Sequence, residues 1–206
     1  MTNDALFPTP AGFETFETEV RKSRFITWVA PVETREAALA LLQKAREAYP
    51  DARHHCWAYV IGKPGAATNA AMSDDGEPSG TAGKPILNVI EHKGIGNVMV
   101  VVIRYFGGIK LGAGGLVRAY AGATENALSQ IALIQHEPEI HLVMELDFSQ
   151  EQPLRHWLAQ HGGTIDAVDY GQAVRCHCRI PLPAQEALDA WAGAQGVDYK
   201  TQEAMP

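Results

Sequence analysis

Val98 to Ile103 is an unbroken run of six apolar residues, four of them valine. Such a run predicts a strand buried on both faces. Leu116 to Ile131 follows with helical spacing, placing Leu116, Ala119, Tyr120, Ala123, Ala127, Leu128 and Ile131 on one stripe. Upstream, Phe13 to Val29 alternates loosely around Arg21-Lys22-Ser23-Arg24, which predicts a hairpin with a basic tip. Glu33 to Tyr49 predicts a helix with Ala37, Leu41, Leu42, Ala45 and Ala48 on its apolar face and Pro50 as its stop. Trp57 to Ile61 predicts another strand, closed by Gly62-Lys63-Pro64-Gly65. Ser79 or Thr81 is the expected cap of a helix running through Ile86, Leu87, Val89 and Ile90.

The pattern changes after Ile134, where Gln135-His136-Glu137-Pro138 reads as a short linker. Glu139 to Phe148 alternates as a strand, and Gln152 to Gln160 reads as a helix ended by Gly162-Gly163. Thr164 to Val168 and Gln172 to Ile180 predict two strands around Asp169-Tyr170-Gly171. Ala184 to Gly193 predicts a helix and Val197 to Thr201 a last strand. The order β-α-β-β-α-β is the ferredoxin-like arrangement. An α+β chain with domains at residues 1–134 and 135–206 is therefore expected.

Charge divides the chain at the same place. Residues 1–134 hold 13 Lys and Arg against 13 Asp and Glu, whereas residues 135–206 hold 4 against 11, which accounts for the net −7. The second half repels phosphate and is expected to contact protein, while the balanced first half can still present a cationic patch. No apolar run reaches the roughly 20 residues a transmembrane helix needs. Met1 to Pro8 shows no signal-peptide pattern, and the three cysteines cannot all pair within the chain. A cytoplasmic protein without membrane contact is the expectation.

Chemistry concentrates in two stretches. At the end of the apolar run stand Arg104, Tyr105 and Phe106, then five glycines in nine positions: Gly107, Gly108, Gly112, Gly114 and Gly115. Lys110 and Arg118 flank them. Strand, glycine loop and helix start make a candidate anion site, because a helix N-terminus offers free N–H groups and glycine admits close approach. Strand alternation puts Arg104 and Phe106 on one face and Tyr105 on the other. Neither nucleotide fingerprint fits: Gly112-x-Gly114 is followed by Val117 where a dinucleotide loop needs glycine, and no Gly-x4-Gly-Lys-Ser/Thr occurs. The cations Arg21, Lys22 and Arg24 of the basic tip, with Lys84, extend the candidate surface.

The second stretch, Ser73 to Pro85, holds Asp74, Asp75, Glu77, Gly80, Thr81 and Lys84. Its carboxylates either hold Mg²⁺ beside a phosphate or stand at the positive end of a helix as part of a capped turn. His54 and His55 precede Trp57 and, being adjacent on a strand, point to opposite faces, so they do not chelate one metal together. Cys176 and Cys178 share a strand face but lack a second ligand pair, which favours buried thiols over zinc. No resident metal or other cofactor is expected.

Three segments, Arg53-His54-His55-Cys56, Ser73 to Pro85, and Ile103-Arg104-Tyr105-Phe106-Gly107-Gly108-Ile109-Lys110-Leu111-Gly112, closely resemble motifs of the YigZ/IMPACT family, over about residues 15–131. The acidic second half looks like the small C-terminal domain of the bacterial, two-domain members. The resemblance implies a first domain similar to ribosomal protein S5 domain 2, a fold shared with parts of elongation factor G and with small-molecule kinases. It implies a ferredoxin-like, elongation-factor-like second domain. Eukaryotic relatives act on translation by competing for the activator of an amino-acid-starvation kinase. They use an additional N-terminal domain that is not expected here, so that role is not carried over.

Two functions follow as expectations. The first is non-enzymatic binding of RNA, the ribosome or a translation factor, with regulation of translation as its role, through Arg104, Lys110, Arg118 and the glycine-loop N–H groups, with Tyr105 or Phe106 stacking on a base. The alternative is a phosphate- or nucleotide-dependent enzyme in which Asp74, Asp75 and Glu77 hold Mg²⁺ and Lys84 neutralises a phosphate. A concave pocket joining the acids to the glycine loop would favour the enzyme, and cations along an open surface would favour the binder.

Overall fold

The computed structural model describes residues 6–202, so Met1 to Ala5, read above for a leader, lie outside the described residues. The chain forms two compact units, one ending at His136 and one beginning at Glu137. The fold is α+β, as the sequence predicts.

The first unit contains β1 (Phe7–Pro10), β2 (Glu14–Val20), β3 (Ser23–Pro31), α1 (Arg35–Ala48), β4 (His54–Ile61), β5 (Asn69–Ser73), α2 (Gly83–Lys93), β6 (Val98–Tyr105), α3 (Ala113–Gln130) and β7 (Leu133–His136). Five strands form one sheet in the order β2-β3-β6-β4-β5. The apolar run is its central strand, β6. Val98, Val100 and Val102 face a core made with α2 and α3, while Met99, Val101 and Ile103 face a second core under α1. All six are fully buried, which is why the run shows no alternation.

Helix α1 begins at an N-cap, Thr34, whose hydroxyl accepts from the Ala37 N–H. Its buried face is Ala38, Leu42 and Ala45. Ala37 and Ala48, expected on that face, are exposed. Alanines on several faces make the apolar stripe ambiguous in the sequence. On α3, by contrast, every residue of the predicted stripe from Leu116 to Ile131 is buried.

β1, β5 and β7 were not apparent in the sequence. β1 and β7 pair antiparallel, Phe7 opposite His136, so half of the expected linker is strand. All three are short segments with little apolar periodicity; β1 and β7 pair across the length of the unit, whereas β5 pairs with its neighbour β4.

The second unit contains β8 (Glu139–Leu146), α4 (Glu151–His161), β9 (Thr164–Tyr170), β10 (Val174–Pro181), a short 3-10 turn, α5 (Gln185–Gln195) and β11 (Tyr199–Gln202). Its antiparallel sheet has the order β11-β8-β10-β9. Leu142, Met144 and Leu146 join Val174, Cys176, Cys178 and Ile180 under α4 and α5. All three cysteines are free and buried. Burial raises the Cys178 thiol to about 12, so it stays protonated at neutral pH.

The hairpin of β2 and β3 locks against the glycine loop. A Cβ on Gly107 would lie 1.9 Å from the carbonyl carbon of Lys22 and 2.4 Å from the Ser23 nitrogen. Those neighbours are backbone and cannot rotate away. Gly107→Ala is therefore expected to cost about 3 kcal/mol, the upper end of ordinary overpacking. Urea denaturation checks this, and a midpoint unchanged from wild type would contradict it.

Candidate functional site: a cationic pocket at the start of α3

Register builds the site. In the sheet, Arg104 of β6 stands opposite Phe25 of β3 on one side and His54 of β4 on the other. These three face the core shared with α2 and α3. The loop after β5 then lays Glu77 over Arg104, with N–O 2.6 Å, and both side chains are more than nine-tenths buried. Glu77 Oε1 also accepts from the Tyr120 hydroxyl of α3 at 2.8 Å. A second guanidinium nitrogen of Arg104 donates to Ser23 Oγ, which also accepts from the Gly107 N–H. The Arg104 guanidinium carbon lies 5.7 Å from the Phe25 ring centroid and 5.8 Å from that of Phe106. Arg104 is thus a structural cation first, and removing it would leave Glu77 buried without its counter-ion.

The other two acids are engaged elsewhere. Asp74 Oδ1 accepts from the Ala82 and Gly83 N–H groups, and Oδ2 from Gly80. This carboxylate, nine residues upstream of Gly83, performs the capping expected of Ser79 or Thr81. Ala82, the N-cap of α2, offers no side-chain bond, and the Thr81 hydroxyl donates to the Pro78 carbonyl instead. Asp75 bonds Arg46 and the His55 backbone N–H. His55 is buried toward the α1 side, and desolvation lowers its pKa. His54 points the other way, with Nδ1 2.9 Å from the Asp75 carbonyl.

A cavity of about 360 Å³ opens over this network. Its lining includes Arg53, His54, Glu77, Arg104, Phe106, Lys110 and Gly112. Arg53 and Lys110 are exposed and Phe106 is 56% exposed. The first turn of α3 borders the cavity through Gly112 and Ala113. Among the described residues, that turn has no side-chain cap and no acid of its own, so its positive end is not neutralised locally. Gly112 is its N-cap at φ 72°, a conformation that favours glycine. Among the described residues, no group of three His, Cys, Asp or Glu is arranged to hold a metal.

The remaining candidate residues are dispersed. Arg21, Gly115 and Arg118 line a separate groove of about 220 Å³ that shares Leu111 with the cavity. Gly80 and Lys84 line a larger, mostly apolar groove between α2 and α3. Arg24 is neutralised by a bidentate pair with Glu17 on the hairpin. Tyr105 lies on the α1 side with the Arg24 guanidinium over its ring, opposite Arg104 and Phe106 as alternation required. Lys22 and Gly108 are exposed, Lys22 at the hairpin turn and Gly108 in the loop after β6. Gly114 comes within 3.5 Å of Arg118 only as the site of a hypothetical Cβ.

Comparison with known proteins places this arrangement. Residues 21–128 match the model of the Impact N-terminal domain, just over half the chain. The chain belongs to the IMPACT family. Residues 144–192 match a domain of unknown function, DUF1949. The IMPACT family member YigZ of Escherichia coli is 41% identical over 180 residues, which is 87% of each chain. The family member YvyE of Bacillus subtilis is 34% identical over 175 residues, covering 85% of this chain and 80% of that one. A crystal structure described as a hypothetical protein is 36% identical and superimposes with a TM-score of 0.77 over 98% of this chain and 99% of that one.

Arg53, Ser23, Leu111 and Tyr120 belong to the site but were not singled out from the sequence. Arg53 opens a segment that carries the family resemblance, which was signal enough to find it. Tyr120 reads only as a core position, since nothing local announces that its hydroxyl meets Glu77.

Two expectations follow from this network. Glu77→Gln and Arg104→Met should each destabilise by about 3–5 kcal/mol, and the double variant by less than their sum, as the coupling in a denaturation cycle will show. For Asp74, burial alone raises the pKa, but the Gly80, Gly83 and Ala82 N–H bonds outweigh it and lower it. Its stabilisation is complete above the unfolded value of about 3.9 and is lost as pH falls through the lower folded value. Asp74→Ala should cost about 1–2 kcal/mol at neutral pH and flatten the acid limb of a stability-versus-pH curve.

Proposed function

We propose that the first unit is a non-enzymatic binding module for single-stranded RNA, acting within translation and its regulation. The observation that carries this reading is the convergence of Arg53, Lys110, the uncapped start of α3 and the exposed ring of Phe106 on one cavity. Cations and N–H groups suit a phosphodiester, and an exposed ring offers a face for a base. The translation-linked role of eukaryotic relatives supports the same direction at the level of the family.

The cavity does join the glycine loop to an acid, the arrangement that favours an enzyme. Only Glu77 reaches it, however, and Arg104 balances its charge. Asp74 and Asp75 are hydrogen-bonded into the α2 cap and to Arg46 and His55. A magnesium-bound polyphosphate is normally held through one or two carboxylates free to face it. The balance therefore falls to binding without turnover. The acidic second unit, with 4 cations against 11 acids, serves contact with a protein partner rather than with RNA.

Fluorescence anisotropy with labelled oligouridylate tests the reading. Phe106→Ala should weaken binding by about 1–3 kcal/mol, in line with loss of one stacked base. Lys110→Ala should weaken it and reduce the salt slope by about 0.7. Both side chains are exposed, so thermal midpoints should stay near wild type. Wild-type protein that shows no salt-dependent association with RNA at physiological ionic strength would sink the proposal.

A further inference from the structure

We infer that the phosphate path does not stop at the cavity but continues past Leu111 into the groove of Arg21, Gly115 and Arg118, so that one RNA strand places successive phosphates on two sides of the α3 start. This rests on the RNA-binding reading and specifies how much of a strand the site takes.

Three observations carry it. Leu111 is a wall of both the cavity and the groove, so the two adjoin at the first turn of α3. Each contributes two exposed cations, Arg53 with Lys110 and Arg21 with Arg118, and none of the four has an ion-pair partner among the described residues. Elsewhere in the unit Arg24 pairs with Glu17, Arg46 with Asp75, Lys93 with Glu125 and Arg104 with Glu77, while the exposed Lys22, Arg35, Lys44 and Lys84 line neither the cavity nor the groove. Arg118 is directed back toward the helix start, its Nη1 lying 3.5 Å from where a Gly114 Cβ would be.

Arg104 forms the buried floor of the cavity. It is 7% exposed, it lines the cavity, and its Nε–H has no acceptor among the described residues. The hairpin turn points the same way. Arg21 and Lys22 adopt φ of 46° and 65°, which two-residue hairpin turns normally assign to Asn-Gly. Long cationic side chains there are less favourable to the fold than the residues that turn prefers.

The test compares uridine monophosphate with di- and tetranucleotides of uridine on the full chain by isothermal calorimetry. The tetranucleotide should bind on the order of tenfold more tightly than the monophosphate, with a salt slope larger by about 0.7 for each added phosphate contact. Arg118→Ala, and separately Arg21→Asn with Lys22→Gly, should remove that gain, so that the tetranucleotide binds about as tightly as the monophosphate. The turn variant should also melt at a higher temperature than wild type, which separates lost binding from lost folding. A wild-type affinity that does not rise with length, or a gain that survives both variants, would overturn the two-sided path while leaving the cavity reading intact. Failure of every ligand including the monophosphate would overturn both.

Discussion

A guanidinium at the end of a strand that is buried on both faces must find its counter-charge inside the protein, and Arg104 finds Glu77. Much of the first unit meets at this pair. The loop after β5 is held over β6 because Glu77 has to reach Arg104, and α3 is tied to the same carboxylate through Tyr120. Ser23 links the hairpin turn to Arg104 and to the glycine loop at Gly107. Four segments distant in the chain therefore depend on one desolvated ion pair, whose attraction is strong because little water screens it.

The pair also shapes the surface above it. With the Arg104 charge balanced from beneath, the charge offered to a ligand comes from Arg53, Lys110 and the α3 start. The carboxylates that suggested metal chemistry instead hold structure: Asp74 caps α2 from a distance and Asp75 joins β4 to α1. The glycines divide in the same manner. Gly107 is required where the chain touches the hairpin backbone, while Gly112 turns the chain into α3 and opens its first turn toward the cavity.

Most of the fold was legible in the sequence because its strongest signals are local. A doubly buried strand, the α3 stripe and the ferredoxin-like order each depend on periodicity within a short window. The rotated face of α1, the β1–β7 pair and the cap of α2 were not legible. Alanine does not distinguish faces well, short edge strands carry little pattern, and an aspartate nine residues from the helix it caps lies outside any local capping rule.

For the site, the sequence alone determined the chemical inventory: a strand ending in Arg104-Tyr105-Phe106, a glycine loop, a helix start and a cluster of acids, together with the family that carries them. It also settled that Arg104 and Phe106 share a face, since alternation along a strand is intrinsic to the backbone. Tertiary structure alone decided which charges remain available. Ion pairing depends on strand register and on which loop folds over which strand end, and those are set by contacts between residues dozens of positions apart. That is why Arg24 and Arg104 proved to be matched within the protein, whereas Arg53, Lys110, Arg21 and Arg118 face outward around the start of α3.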